Sequence, residues 1–435
     1  MEKIPTKITG EVTISPAILS EIKKEVKNVP NFKKKFEEVL TERTTEILEI
    51  VLGSAVSLDA SDIHIEPEEN KAKLRARIDG VLQDVVVLNQ KIYEALLSRI
   101  KLLSGLKFNI TDRPQDGRFS ILMKDLTIEV RASTLPAEYG ESIVLRLLNP
   151  KSLIELEVLG LRKDLLKTFE KEIKKPNGMI IVTGPTGSGK TTTLYAFLRK
   201  IHRPEIKIIT IEDPIEYHLE GISQTQVAPE KGYDFANGLK AIVRQDPDVI
   251  LVGEIRDFET AKIALQAALT GHLVLSTLHT NDAAGTLVRL QSLGEKPVNI
   301  APAINMAIAQ RLVRKVCQKC VKFEKISSQE LEKIKKVLKN IPKEIIKYSE
   351  TSKTPKAVGC QDCNFTGYRG RIGVFEAFLI DDEMEKFILT SPSIASLKEM
   401  AIKKGMITMY QDGLIKVLEG MTTVDEIERV TEATE

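Results

Sequence analysis

The sequence lacks any long hydrophobic run, because no stretch approaches the roughly 18 apolar residues that a membrane-spanning helix needs. Its N-terminus also lacks the charged-then-apolar pattern of a secretion signal. An excess of one charge is missing as well, since the formal net charge is +2. We therefore expect a cytoplasmic protein without a concentrated basic face, and so without direct nucleic-acid binding.

Cysteine is scarce, with four residues in a chain of 435. They form two pairs, Cys317-x-x-Cys320 and Cys360-x-x-Cys363. In a cytosolic protein such cysteines are metal ligands or free thiols more often than disulfides. Four thiolates in two chelating pairs predict a tetrahedral structural zinc site, with free thiols or two redox pairs as the alternatives.

The length predicts two or three domains. Residues 1–41 are polar and lysine-rich, and we expect a helical leader. In residues 42–150 a helical pattern gives way to short alternating segments, which predict an α+β domain with a mainly antiparallel sheet. The predicted strands are 61–66, 73–79, 126–131 and 141–147, with turns at Asp79-Gly80 and Asp116-Gly117.

Residues 151–161 are the predicted linker to a second domain, residues 162–435. Short, nearly continuous apolar runs at 179–182, 206–211, 249–252 and 272–278 alternate there with helical patterns. This rhythm is typical of a parallel sheet covered on both faces, so the fold class is α/β. A charged, helix-containing subdomain with the four cysteines is expected at residues 311–378, and Thr423 with Glu426 predicts a capping box near the C-terminus.

A glycine-rich segment between a predicted strand and a predicted helix fits the P-loop pattern. Its backbone N–H groups and the helix N-terminus favour phosphate binding, although an ordinary glycine turn is the alternative. Lys190 should neutralise the β and γ phosphates of ATP, and Thr191 should bind Mg²⁺. The predicted nucleotide-binding residues are Gly184, Pro185, Thr186, Gly187, Ser188, Gly189, Lys190 and Thr191.

Acidic residues directly follow two of the predicted strands. Glu254 comes after the strand at 249–252, and Glu212 comes after the strand at 206–211. A P-loop needs an acidic partner at the end of a neighbouring strand. We assign Glu254 to activating the attacking water and Glu212 to the metal region; solvated strand ends are the alternative.

Four motifs in order give the chain its resemblance to a known family: the loop at 184–191, TIEDPIEY at 210–217, RQDPDVILVGEIRD at 244–257 and TGHLVLSTLHTN at 270–281. They look like the Walker A, Asp box, Walker B and His box of the type II secretion and type IV pilus assembly ATPases. The resemblance implies a RecA-like P-loop core preceded by a smaller α+β (PAS-like) domain, with a zinc-binding insert. It also implies a hexamer, with His272 and His279 near the γ phosphate.

Three arginines lie before the linker, at Arg113, Arg118 and Arg131. Each residue alone reads as a solvent-facing side chain of a turn or strand. In the resembled family such arginines reach nucleotide, and a guanidinium suits the developing charge on a γ phosphate. The resemblance therefore predicts that these three arginines assist hydrolysis.

The resemblance implies a homo-hexameric motor that hydrolyses ATP to drive assembly of a type IV pilus or a type II secretion pseudopilus. Such motors associate peripherally with the inner membrane through a platform protein. A pilus retraction ATPase, a RecA-like DNA-translocating ATPase and a nucleotide-gated scaffold are the alternatives. Relatives usually carry a further N-terminal domain, for which about forty residues are available here.

Overall fold

The computed structural model describes residues 10–124, 126–150, 154–342, 344–346 and 352–431. They divide into two compact units. Unit 1 holds the described residues up to 150 together with Cys317–Val321 and Ala357–Gly370, and unit 2 holds the rest. Within the described ranges, no helix is long and apolar enough to cross a membrane.

Unit 1 combines helices with one sheet. Asn28 and Asn89 cap its second and fourth helices with side-chain oxygens, and Gly105 ends the fourth in the left-handed conformation. Its elements are β1 Glu11–Thr13, α1 Pro16–Glu25, α2 Val29–Glu38, α3 Thr44–Ser57, β2 Asp62–Glu68, β3 Lys71–Ile78, β4 Val81–Asn89, α4 Gln90–Ser104, β5 Gln115–Met123, β6 Leu126–Ala137 and β7 Gly140–Leu148.

The sheet of unit 1 has the order β1-β5-β6-β7-β2-β3-β4 among the described residues. Only the β1–β5 pair is parallel, so the mainly antiparallel prediction is confirmed. Alternate residues such as Leu74 and Ala76 face the core, whereas Arg75 and Arg77 lie on the other face. The predicted helical leader holds α1 and α2 but also β1, which joins the sheet by long-range pairing; its residues 1–9 lie outside the described residues.

The turn predicted at Asp116-Gly117 is wrong, because both residues lie inside β5. Gly117 is needed there for space: a Cβ built on it would lie 2.3 Å from the carbonyl oxygen of Ser104. A glycine in a strand marks such a close backbone approach as readily as a turn. The other predicted turn, at Asp79-Gly80, connects β3 and β4.

Unit 2 contains the remaining elements, apart from the first residues of β16, which belong to unit 1. Its elements are α5 Lys163–Glu172, β8 Gly178–Thr183, α6 Lys190–Ile201, β9 Ile208–Glu212, β10 Ser223–Gln226, α7 Phe235–Val243, β11 Val249–Val252, α8 Phe258–Leu269, β12 Leu273–Leu278, α9 Gly285–Ser292, α10 Pro297–Ile300, β13 Ile304–Val316, β14 Lys322–Lys325, α11 Ser328–Val337, β15 Lys353–Lys356, β16 Tyr368–Leu379, α12 Asp382–Ile388, α13 Ile394–Lys403, α14 Met409–Leu418 and α15 Val424–Val430.

The main sheet of unit 2 has the order β10-β9-β11-β12-β8-β13-β16 in the described part of the chain. The pairs from β10 through β13 are parallel. Two separate apolar clusters use alternate residues of β8: Met179 and Ile181 belong to one, Ile180 and Val182 to the other. The sheet is therefore covered on both faces, and the predicted α/β class is confirmed.

The predicted linker, 151–161, is only partly described, because 151–153 lie outside the described residues. From residue 154 onward the segment packs against unit 2. Leu156 and Leu159 are buried in the core of unit 2, and the carbonyl of Leu159 accepts a hydrogen bond from Gly373 N–H at 3.1 Å. Just beyond, Arg162 contacts the buried carboxylate of Asp412 at 2.5 Å. Apolar burial therefore makes this part of the predicted linker an element of unit 2.

The predicted capping box at Thr423 forms in its first half, since the Thr423 hydroxyl accepts a hydrogen bond from Glu426 N–H at 3.4 Å. The Glu426 carboxylate also accepts hydrogen bonds from Arg314 and Arg429. Burial would raise the pKa of Glu426, but these two arginines lower it to about 2. Glu426 therefore connects β13 to α15 as the anion of an ion-pair cluster.

Candidate functional site

The site forms where three parallel strands end together. In the register of the sheet, Leu278 of β12 pairs with Thr183 of β8, and Val252 of β11 pairs with Ser276 of β12. The segments that follow these strands therefore leave the same edge of the sheet. In open α/β sheets, ligands bind at this carboxyl edge.

The loop from Gly184 to Gly189 connects β8 to α6 as the P-loop pattern predicts. Gly184 and Gly189 have φ of 148° and 88°, which favour glycine. The loop places Ser188 so that its hydroxyl oxygen is buried without a hydrogen-bond partner in the described part of the chain. A buried donor left in this way fits a polar ligand such as phosphate.

Lys190, the first residue of α6, is 9% exposed, and its Nζ points back into the loop. It donates hydrogen bonds to the carbonyl oxygens of Gly184 at 2.8 Å and Pro185 at 3.1 Å. Burial lowers the pKa of Lys190 to about 8, although the Glu254 carboxylate opposes the shift. A cation that burial disfavours in this way gains strongly from an anionic ligand.

Glu254 follows β11 and lies in an ionic cluster. Its Oε1 is 2.5 Å from Nη2 of Arg256, and its Oε2 is 3.6 Å from Nε2 of His279, which follows β12. Burial and the charge of Lys190 lower the pKa of His279, which favours the neutral imidazole. The structure therefore brings the predicted Lys190, Glu254 and His279 together at one edge.

Glu212 does not join this cluster. Its carboxylate accepts hydrogen bonds from the hydroxyls of Thr210, at 2.5 Å, and Tyr195, and from the amide of Gln224 at 3.2 Å. Burial raises the pKa of Glu212. These contacts connect β9 to α6 and β10, and the assignment of Glu212 to the metal region remains a prediction.

His272 lies at the opposite end of β12 from His279. It precedes β12, and its carbonyl accepts a hydrogen bond from Gly178 N–H, at the beginning of β8. Its ring Nδ1 lies 3.0 Å from the carbonyl of Ala267 in α8. Because a strand rises about 3.3 Å per residue, the six steps to Leu278 place His272 roughly 20 Å from the P-loop edge. Within its own chain His272 is therefore too distant to contact a γ phosphate.

The three predicted arginines belong to unit 1. Arg118 of β5 pairs directly with Arg131 of β6, which in turn pairs with Arg146 of β7. Arg118, Arg131 and Arg146 therefore share one face of the sheet. Acidic side chains lie beside two of them, since Glu129 is 3.9 Å from Arg131 and Asp62 is 3.0 Å from Arg146. Arg113 is exposed in the loop before β5. Their predicted action on nucleotide remains a prediction.

The four cysteines all lie in unit 1, and their Sγ atoms are within 4.8 Å of one another. Cys317 and Cys360 are 3.9 Å apart, and Cys320 and Cys363 are 3.8 Å apart. A tetrahedral ion with metal–sulfur bonds of about 2.3 Å requires about 3.8 Å between sulfurs. The four side chains could therefore hold one metal ion.

The environment of the cluster shifts the thiol pKa values of Cys363 and Cys320 in opposite directions. Burial would raise the pKa of Cys363, but N–H donors of Cys360 and Gly367 lower it. Burial instead raises the pKa of Cys320 to about 12. Next to the cluster, Asn364 accepts a hydrogen bond from Val29 N–H at 2.6 Å, so the cysteine loop caps α2 of the same unit.

Several residues at the P-loop edge were not expected from the sequence. Thr183 and Thr280 bond through their hydroxyls at 2.7 Å, and Arg311 of β13 donates to the carbonyl of Asn281 at 2.8 Å. Gln310 bonds Thr193 at 2.7 Å. One signal was available: a polar Gln-Arg pair interrupts the apolar pattern of β13.

Comparisons with known proteins identify similar sequences and structures. A family model described as "Type II/IV secretion system protein" matches residues 38–429. The chain is similar to type II secretion system protein E of Xanthomonas campestris, with 44% identity over 89% of this chain and 67% of that protein. It is also 44% identical to the type IV pilus assembly ATPase PilB of Thermus thermophilus, over 87% of this chain and 42% of that protein.

Among solved structures, the crystal structure of the pilus retraction motor PilT with bound ADP is similar, with a TM-score of 0.59 and 26% identity. The likeness covers 88% of this chain and 96% of that one.

Proposed function

This chain belongs to the type II/IV secretion system protein family, and from that premise we propose that it is a hexameric motor for assembly of a type IV pilus or a type II secretion pseudopilus. It is an ATPase of this family. The observation that carries the proposal is the meeting of Lys190, Glu254 and His279 at the carboxyl edge of one parallel sheet.

ATP binds, in this proposal, with its phosphates in the loop from Gly184 to Thr191. The free backbone N–H groups at the start of α6 bind phosphate oxygens, and Lys190 exchanges its two carbonyl partners for the β and γ phosphates. Ser188 donates its buried hydroxyl to phosphate. Thr191 would hold Mg²⁺, which supplies charge neutralisation between the β and γ phosphates.

Glu254 orients and deprotonates the attacking water. It lies 13% exposed at the end of β11, held by Arg256 on one oxygen, which leaves the oxygen near His279 for water. The neutral His279 can share a hydrogen bond with that water or with the γ phosphate. General-base catalysis of this kind contributes about 10²–10⁴-fold to a rate.

The relatives favour an assembly motor over a retraction motor. The curated proteins similar to this chain include a type II secretion protein and a pilus assembly ATPase. The four-cysteine cluster also favours assembly over retraction, because the resembled retraction ATPases generally lack it. DNA translocation is disfavoured by the balanced charge. A scaffold without turnover would not need the water-activating position of Glu254.

We further propose that the motor works in the cytoplasm, at the inner membrane, through a platform protein. Arg113, Arg118 and Arg131 act on nucleotide in the ring, where loss of the γ phosphate releases their hold and moves unit 1. The position of Arg118 directly opposite Arg131 on the neighbouring strand supports this role, because two adjacent guanidinium groups can bind several oxygens of one phosphate.

The four-cysteine cluster binds zinc, in this proposal. The sulfur spacing suits the tetrahedral geometry and bond lengths of zinc with four thiolates. Four protein ligands would leave no coordination position open, so a zinc ion held by these cysteines would stabilise the surrounding loops and would take no part in hydrolysis.

Substitution of Lys190 and Glu254 tests the assigned chemistry. Lys190→Ala should weaken ATP binding because it removes the buried cation, whereas Glu254→Gln should bind ATP normally and lower kcat by about 10²-fold or more. The measurements are nucleotide affinity and steady-state turnover. Glu220→Gln, an exposed carboxylate, serves as the control and should behave as wild type. Near-normal hydrolysis by the Glu254 variant would remove it from its role.

A mixing experiment tests the arginines and the ring. Arg131→Ala alone should lower kcat by about 10³-fold with little loss of ATP affinity. If the arginine acts on a neighbouring subunit, chains with Arg131→Ala mixed with chains with Lys190→Ala regain partial activity. In the control, chains that carry both Arg131→Ala and Lys190→Ala replace the Arg131→Ala chains. This mixture should regain no ATPase activity. A dead mixture with verified co-assembly contradicts action between subunits.

Metal analysis tests the cysteine cluster. We expect about one zinc per chain in protein purified without chelators, and loss of that zinc in Cys360→Ser with Cys363→Ser. Proteolysis of the insert at residues 322–356 should then accelerate while nucleotide affinity is preserved. Zinc-free wild-type protein would contradict the assignment.

A further inference from the structure

Arg311 lies on β13, the strand beside β8. Ala309 of β13 pairs with Thr183, so the next two residues, Gln310 and Arg311, run alongside the beginning of the P-loop. A Cβ built on Gly184 would lie 3.1 Å from Nη1 of Arg311. The guanidinium therefore occupies the space into which a side chain at the first residue of the loop would project.

The same guanidinium reaches the segment that follows β12. Its Nη1 donates to the carbonyl of Gln310 at 3.0 Å, and its Nη2 donates to the carbonyl of Asn281 at 2.8 Å. Asn281 lies two residues after His279. Arg311 thus bridges the P-loop side of the sheet and residues 279–282, which we call the histidine loop.

A second connection holds the histidine loop at the same place. The N–H of Thr280 donates to the hydroxyl oxygen of Thr183 at 2.8 Å, directly before the P-loop. Thr280 and Arg311 therefore attach the histidine loop to β8 and β13 respectively. His279 comes directly before these two attachments, and its Nε2 lies 3.6 Å from Oε2 of Glu254.

The contrast with Arg314, three residues further along β13, is informative. Arg314 pairs with the buried carboxylate of Glu426 and so stabilises the fold by an ion pair. Arg311 instead directs two amino groups to backbone carbonyls beside the nucleotide site, and its charge helps lower the pKa of Lys190. The planar fork of a guanidinium can hold two carbonyls at once, whereas a lysine ammonium is a point charge.

We propose that Arg311 is a positioning residue for ATP hydrolysis, which fixes the histidine loop against the P-loop so that His279 stays at Glu254. This inference rests on the proposed function. It predicts an effect on the chemical step with little effect on nucleotide binding, because the phosphates are held by Lys190 and the loop. Misplacement of a catalytic group by about 1 Å can cost about 10²-fold in rate.

The test compares Arg311→Gln and Arg311→Lys with wild type. We expect kcat to fall about 10- to 100-fold in the Gln variant, with ATP affinity changed by less than about threefold. The Lys variant should recover only part of the loss, because it cannot hold both carbonyls. Lys315→Gln, an exposed lysine of the same strand, should match wild type. Wild-type kcat in both Arg311 variants would overturn the proposal.

A double-mutant cycle separates positioning from direct phosphate contact. If Arg311 acts through His279, Arg311→Gln should cause no further loss of kcat in a His279→Ala background. Full additivity of the two losses, or a fall in ATP affinity in place of kcat, would show that Arg311 acts on the phosphates and contradict the proposal.

A readout that does not depend on turnover keeps this inference distinct from the proposed function. Diethyl pyrocarbonate acylates neutral imidazole, and peptide mass spectrometry gives the rate at each histidine. In Arg311→Gln we expect faster modification of His279 and an unchanged rate at the exposed His218. An unchanged rate at His279 would overturn the positioning role, even if the wild-type chain hydrolysed no ATP.

Discussion

The parallel pairing of β8 with β12, and of β12 with β11, is the constraint on which the site depends. These backbone hydrogen bonds bring three strand ends to one edge of the sheet. The P-loop, Glu254 and His279 come from positions far apart in the sequence, and only the common direction of the strands brings them together. The same pairing places His272 at the other end of β12, far from the P-loop.

The electrostatics of that edge follow from burial. Lys190 is enclosed by its own loop and has its pKa lowered to about 8, with Arg311 adding positive charge nearby. Glu254 compensates part of this charge but is already paired with Arg256. A buried cation whose hydrogen bonds go to two carbonyls is poorly neutralised, so a polyphosphate would improve the electrostatics around Lys190. We therefore expect nucleotide binding at Lys190 to be coupled through charge to the arrangement of Glu254 and His279.

The sequence predicted those parts of the molecule that local patterns determine. The apolar run at 249–252 became β11 with the same bounds, and the glycine-rich segment lies between β8 and α6. Long-range relations were missed. Asp116-Gly117 carried a turn signal, although Gly117 serves a close approach to Ser104, and Arg311 reaches the site only because β13 pairs with β8. Glu212 follows a strand as Glu254 does, but tertiary packing surrounds its carboxylate with hydroxyl and amide donors.

The two histidines of the segment at 270–281 test the central claim most directly, because they lie at opposite ends of one strand. The measurement is ATP turnover by His279→Ala and His272→Ala, with nucleotide affinity determined for each. If the carboxyl edge is the catalytic site, His279→Ala loses most of its kcat, whereas His272→Ala keeps turnover near that of wild type. A loss of kcat in His272→Ala as large as that in His279→Ala, with the fold intact, would contradict the account.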